Sequence, residues 1–206
     1  MNQRLGLLLA LVAVFATGAA AARATARMQP WRSPDGRVRL SRPAGAIVER
    51  AAAPINTLMR PGWRLFWGEG AAPPGSVIVR LTLRVHPEAP GKTASELLQV
   101  GVSSDPRARA GCLHDDLNGG SGERLPDRVI NGVRYRAWHN ADEGMSQSID
   151  AIDLRAVVDG ACYAVERFSV GEGASDGDPS VTLPQAKGAA LLDASLASPR
   201  IGARAR

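Results

Sequence analysis

Between Val129 and Val170 the chain alternates apolar and polar residues in three runs separated by turn signals. Asn131-Gly132 is a strong two-residue hairpin signal, since both residues tolerate positive φ. After it Val133, Tyr135 and Ala137 alternate with Arg134, Arg136 and Trp138, the period of a half-buried strand. A turn over Ala141-Asp142-Glu143-Gly144 leads into a strand from Met145 to Val158. Asp159-Gly160 then returns the chain through Ala161 to Val170. The pattern predicts a three-strand antiparallel meander with one conflict inside it. Ile149 and Ala151 place the odd positions inward, whereas Ile152, Leu154, Ala156 and Val158 place the even ones there. Strand side chains cannot change parity without an extra residue, so a β-bulge or bend is expected over Asp150 to Asp153.

The clearest strand of the first half is Ser76 to His86, with Val77, Val79, Leu81, Leu83 and Val85 on one face. Shorter strands are expected at Arg37 to Leu40, Ala46 to Glu49 and Trp63 to Trp67, with a turn at Ser33-Pro34-Asp35-Gly36. Thr93-Ala94-Ser95-Glu96 has capping-box spacing and predicts a helix to about Val102 that ends before Pro106. Arg107 to Arg128 reads as a long polar connection. Pro184 opens a last helix to about Leu196, with Leu183, Lys187, Ala190, Leu191 and Ala194 on one stripe. Strands, helix, strands, helix is the order of an α+β domain: a largely antiparallel sheet with two main helices packed on it.

The opening 22 residues change the setting. Arg4 precedes an apolar run from Leu5 to Phe15, and Ala20-Ala21-Ala22 forms a small-residue cleavage site, with Ala24-Thr25-Ala26 as a second. The expectation is a signal peptide over 1–22, a flexible leader over 23–30, a single domain over 31–200 and a disordered basic tail over 201–206. The exported product is periplasmic or secreted, and nothing later in the chain is apolar enough to span a membrane. Two cysteines in an exported chain, Cys112 and Cys162, are most simply a disulfide.

The formal charge of +5 falls to +4 when residues 1–22, with Arg4 and no acid, are removed. Arg80, Arg84, Arg134 and Arg136 lie on strand faces and read as solvated surface first, as an anion-attracting surface second. No nucleic-acid or cofactor-binding motif is present. Aromatic residues make up only 4%, so the core is expected to rest on Val, Ile, Leu and Ala around Trp63, Phe66, Trp67, Trp138, Tyr163 and Phe168.

The opening Ser33-Pro34-Asp35-Gly36-Arg37-Val38-Arg39-Leu40, then Pro43, the capped segment at Thr93, the late meander and the closing helix through Leu191-Leu192 to Ser198 resemble the PsbP-like family of secreted domains. That resemblance implies a non-enzymatic binding or assembly role and names no site residue.

Candidate chemistry is sparse. His114, Asp115 and Asp116 are adjacent oxygen and nitrogen donors and form the one metal-site candidate. The loop over 115–123 lacks the ligand spacing of a calcium loop. His86 and His139 each stand at the end of a strand. Glu166 shares parity with Cys162, Ala164, Phe168 and Val170, so it is either a buried acid that needs a partner or, with the local twist expected, an exposed one. The reading is an exported, non-catalytic binding protein whose partner is another protein, of inhibitor, immunity or assembly type. The alternatives are a metal-assisted hydrolase using His114, Asp115 and Asp116, and a protein held electrostatically at an anionic envelope surface.

Overall fold

A computed structural model describes residues 27–50, 62–64, 73–85, 93–114, 122–144, 147–172 and 179–202. The expected signal peptide over 1–22, His86, Asp115, Asp116, Phe66 and Trp67 lie outside them. The architecture is dominated by antiparallel strands. A seven-stranded sheet has the order β3-β4-β5-β9-β8-β7-β6, and a three-stranded sheet has the order β1-β2-β10. The strands are β1 (Met28–Arg32), β2 (Val38–Pro43), β3 (Ile47–Glu49), β4 (Ser76–Val85), β5 (Thr93–Ser103), β6 (Glu123–Ile130), β7 (Val133–Gly144), β8 (Gln147–Val158), β9 (Ala161–Glu172) and β10 (Arg200–Ile201). The helices are α1 (Pro106–Gly111) and α2 (Pro179–Leu196).

The late meander is β7, β8 and β9, with β6 added on its outer side. Asn131 and Gly132 have φ of 49° and 85°, and Asp159 and Gly160 have φ of 50° and 74°. Both hairpins therefore use left-handed turn residues whose twist matches that of the strands. The Asn131 side chain also donates to the carbonyls of Ser198 and Pro199, which ties this turn to the chain after α2.

Several expectations are corrected. Thr93 does not open a helix: Thr93–Ser103 is β5, paired along its length with β4 and β9. The apparent capping box is outweighed by burial on both faces, with Leu98 and Val100 on one and Leu97 and Gln99 on the other. Pro106, read as a stop, starts α1 instead. Asp105 caps that helix by accepting from the Arg107 amide at 2.8 Å. Of the two helices, only α2 is long enough to cover a sheet. It begins at Pro179, one proline earlier than expected, and buries Leu192, Ser195 and Leu196, whereas Ala190 and Ala194 are exposed. The leader residues 28–30 belong to β1, and Ile201 in the expected tail pairs with Val38.

No bulge occurs over Asp150 to Asp153: β8 keeps register with both β7 and β9. The parity conflict disappears because both faces are covered. Ile149, Ala151, Asp153 and Arg155 are buried on one face, and Leu154 and Ala156 on the other. Register shifts fall instead at Val77/Val79 in β4 and at Leu125/Arg128 in β6. The first moves Val77 off the Val79 face. The second, beside Pro126, lies on an edge strand, where a proline and a bulge discourage further pairing.

One face of the large sheet packs Val79, Leu81, Leu98, Val100, Leu154 and Val165 against Leu192 and Leu196 of α2 and against Val38 and Leu40 of the small sheet. The opposite face carries Leu97, Trp138, Ile149, Ala151 and Phe168, beside a third cluster of Trp63, Ala108, Cys112, Cys162 and Ala164. There the Trp63 backbone crosses β5 at Gly101, where a Cβ would lie 1.7 Å from the Trp63 carbonyl oxygen. The Trp63 indole donates to the Pro73 carbonyl at 2.9 Å.

Candidate functional site

The second face of the large sheet holds a lateral row of polar residues in direct register. Glu49 stands opposite Arg80, Arg80 opposite Gln99, Gln99 opposite Glu166, Glu166 opposite Asp153, Asp153 opposite Trp138, and Trp138 opposite Arg124. The row crosses all seven strands. Its inner members are buried: Arg80, Gln99, Glu166 and Asp153. Arg80 donates through Nε and Nη2 to Gln99 Oε1 at 3.1 and 2.8 Å, and Gln99 Nε2 donates to Glu166 Oε2 at 3.4 Å and to the Gly62 carbonyl at 3.2 Å. Burial lowers the affinity of the Arg80 guanidinium for its proton, and the charges of Glu49 and Glu166 oppose that. Glu166 is therefore not the exposed acid that was expected, since no bulge turns it outward. It is fully buried with Gln99 as its partner. Arg80 is likewise no part of a solvated basic surface, whereas Arg84, Arg134 and Arg136 are exposed.

At the far end of the row Arg155 joins the sheet to the segment after α1. Its Nε donates to Asp153 Oδ2 at 2.8 Å, its Nη1 donates to the His114 carbonyl at 2.9 Å, and its guanidinium stacks 3.7 Å from the Trp138 ring centre. Cys112 and Cys162 are bonded there, with Cα atoms 5.6 Å apart, so α1 is pinned to β9. The exposed His114 takes part through its backbone. Among the described residues no group of three or more metal-ligating side chains converges; Asp115 and Asp116 lie outside them.

At its outer end the row opens to solvent. A shallow cleft of about 270 Å³ is lined by Ile47, Glu49, Thr82, Arg84 and Ser95. It runs along β3, a three-residue strand with every residue exposed. Ile47 is 44% and Val48 38% exposed. Among the described residues the other exposed large hydrophobics are Val129, on the opposite edge strand, and Val157. Thr82 Oγ1 donates to Glu49 Oε2 at 3.5 Å across the cleft. β3 covers only the Arg80 to Thr82 portion of the ten-residue β4.

A second polar cluster lies on the face under α2. Glu96 is buried and accepts from Ser169 Oγ at 2.8 Å. Arg167 reaches Glu96 at 3.8 Å, Asp150 at 4.0 Å and Asp193 of α2 at 3.0 Å. His139 Nε2 lies 2.6 Å from Asp150 Oδ2. Burial pushes the Glu96 carboxyl up to about 7. The Ser169 hydrogen bond and Arg167 oppose the rise, and Asp150 and Asp193 add to it. This arrangement can hold a proton near neutral pH and ties α2 to the sheet. Sequence reasoning missed it because Glu96 was assigned to a helix cap. The available signal was a lone acid among Ala94, Leu98 and Val100.

No protein-family model matches the chain, and none of the curated proteins is similar to it.

Proposed function

We propose that this is an exported, non-catalytic binding protein that engages another protein through the β3 edge of its large sheet. The single observation that carries the reading is the pair Ile47 and Val48, exposed on a short edge strand beside a cleft that leads onto a buried polar row. An extended segment can add to a sheet edge by main-chain hydrogen bonds while alternate side chains enter neighbouring pockets. Ile47 and Glu49 fall on the cleft side and select what enters. Export, with cleavage before Arg23 or Arg27, and the inhibitor or assembly role implied by the PsbP-like resemblance are part of the same proposal. The disulfide is in keeping with an oxidising compartment.

Val48→Lys places a charge where natural edges use one to refuse a partner. Captured from an envelope extract, a discrete protein that binds the wild type and not Val48→Lys supports the reading. Equal capture by both overturns it. The hydrolase alternative predicts instead a melting temperature that falls on adding a chelator and recovers with one ion. The binding reading expects no change.

A further inference from the structure

The small sheet carries an arrangement that the β3 reading does not use. Arg32 of β1 and Arg200 of β10 both stand directly opposite Arg39 of β2. Three arginines thus form one lateral rung across three adjacent strands spaced about 4.8 Å apart. Like charges placed directly opposite destabilise a sheet, and here they sit on one held at its third strand by only two residues. None of the ion pairs among the described residues includes Arg32, Arg39 or Arg200. The neighbouring Arg37 differs, since it lies 3.7 Å from Asp35.

Arg32, Arg39 and Arg200 line an open groove of about 550 Å³ together with Pro30, Ser41 and Ser198. That volume is within the usual range of small-molecule sites. We propose that this groove is a binding site for a phosphate group, carried by a free phosphorylated ligand or by a phospholipid head group. Guanidinium pairs match phosphate oxygens with two parallel hydrogen bonds, and a group of more than one negative charge offsets more than one arginine. The groove is independent of the β3 edge, so either site can fail without the other.

The test uses the mature chain and its Arg39→Gln variant at low ionic strength. Without ligand, Arg39→Gln should melt higher than the wild type, because it removes the central like charge; an arginine with a structural role would give the opposite shift. Millimolar inorganic pyrophosphate should raise the wild-type melting temperature by ~3 °C and leave the variant unmoved. Vesicles of phosphatidylglycerol in phosphatidylcholine form the second arm. Sedimentation with them that disappears in Arg39→Gln, without a pyrophosphate response, assigns the phosphate to a lipid head group. A pyrophosphate response lost in the variant, without vesicle binding, assigns it to a free ligand. Responses to both probes, each lost in the variant, establish a phosphate site open to either source. The proposal is overturned if neither response depends on Arg39, or if sodium chloride at matched ionic strength stabilises the protein equally. Arg200→Gln, at the two-residue strand, should repeat the loss of ligand response.

Discussion

Glu96 is the residue whose environment most alters its chemistry. Its carboxyl is pushed from an ordinary 4.5 up to about 7 inside the fold, so the folded state holds the proton more tightly than the unfolded chain. The contribution to stability is fully present below pH 4.5 and is lost as pH rises through 7. The groups facing Glu96 are Ser169 and Arg167 of β9, Asp150 of β8 and Asp193 of α2. Glu96→Gln keeps the volume and the acceptor for Ser169 while removing the charge. The variant should therefore gain about 1–3 kcal/mol over the wild type at pH 9 and little at pH 5. Urea midpoints at the two pH values check this; a constant difference between the proteins would contradict it. Gly101 is the second sensitive residue, because β5 and the Trp63 backbone meet at its missing side chain. Gly101→Ala should destabilise by about 3 kcal/mol, the upper part of the range for overpacking, as the atom in the way is a backbone carbonyl. Denaturant unfolding measures that directly.

Turns and alternation were legible along the chain, and coverage was not. Asn131-Gly132 and Asp159-Gly160 announced two hairpins, and β7, β8 and β9 follow them in register. Two of the errors share one cause: alternation alone implies a single buried face for each strand. A single buried face makes β8 need a bulge and turns Glu166 outward, whereas β5 reads as a helix through the capping-box spacing at Thr93. Each strand's burial follows from packing on both faces: one face meets α2 and the small sheet, and the other holds the Leu97, Trp138 and Phe168 cluster beside the Trp63 and Cys112–Cys162 cluster. The edge at Ile47 and Val48 was not readable, since strand order cannot be read from apolar spacing. The element that depends most on a covalent link is α1, whose six residues stay on β9 through Cys112–Cys162. A separation of 50 residues corresponds to about 4 kcal/mol of loop-closure entropy as an upper figure. Cys112→Ser and Cys162→Ser should each lower stability by a similar amount within that limit, and the double variant should be no worse. Thiol titration of the denatured, unreduced protein should find no free sulfhydryl.

Across the whole molecule the two faces of the large sheet divide the work. One is closed by α2 and the small sheet, and carries the Glu96 cluster at the helix margin. The other buries a polar row that begins at the open β3 edge and crosses to β6, with Arg155 beside it holding the disulfide-linked segment. Buried and hydrogen-bonded groups of this kind make a rigid platform, and a rigid platform lowers the ordering cost of adding an extended segment at its edge. No helix among the described residues is long and apolar enough to cross a membrane. The most direct test of partner binding at β3 is site-specific photo-crosslinking in the producing cell. A photoreactive residue at position 48 samples the edge, and one at position 157, also an exposed valine, serves as the control. One discrete protein adduct is expected at position 48 and none at 157. The same adducts at both positions, or none at position 48, would contradict it.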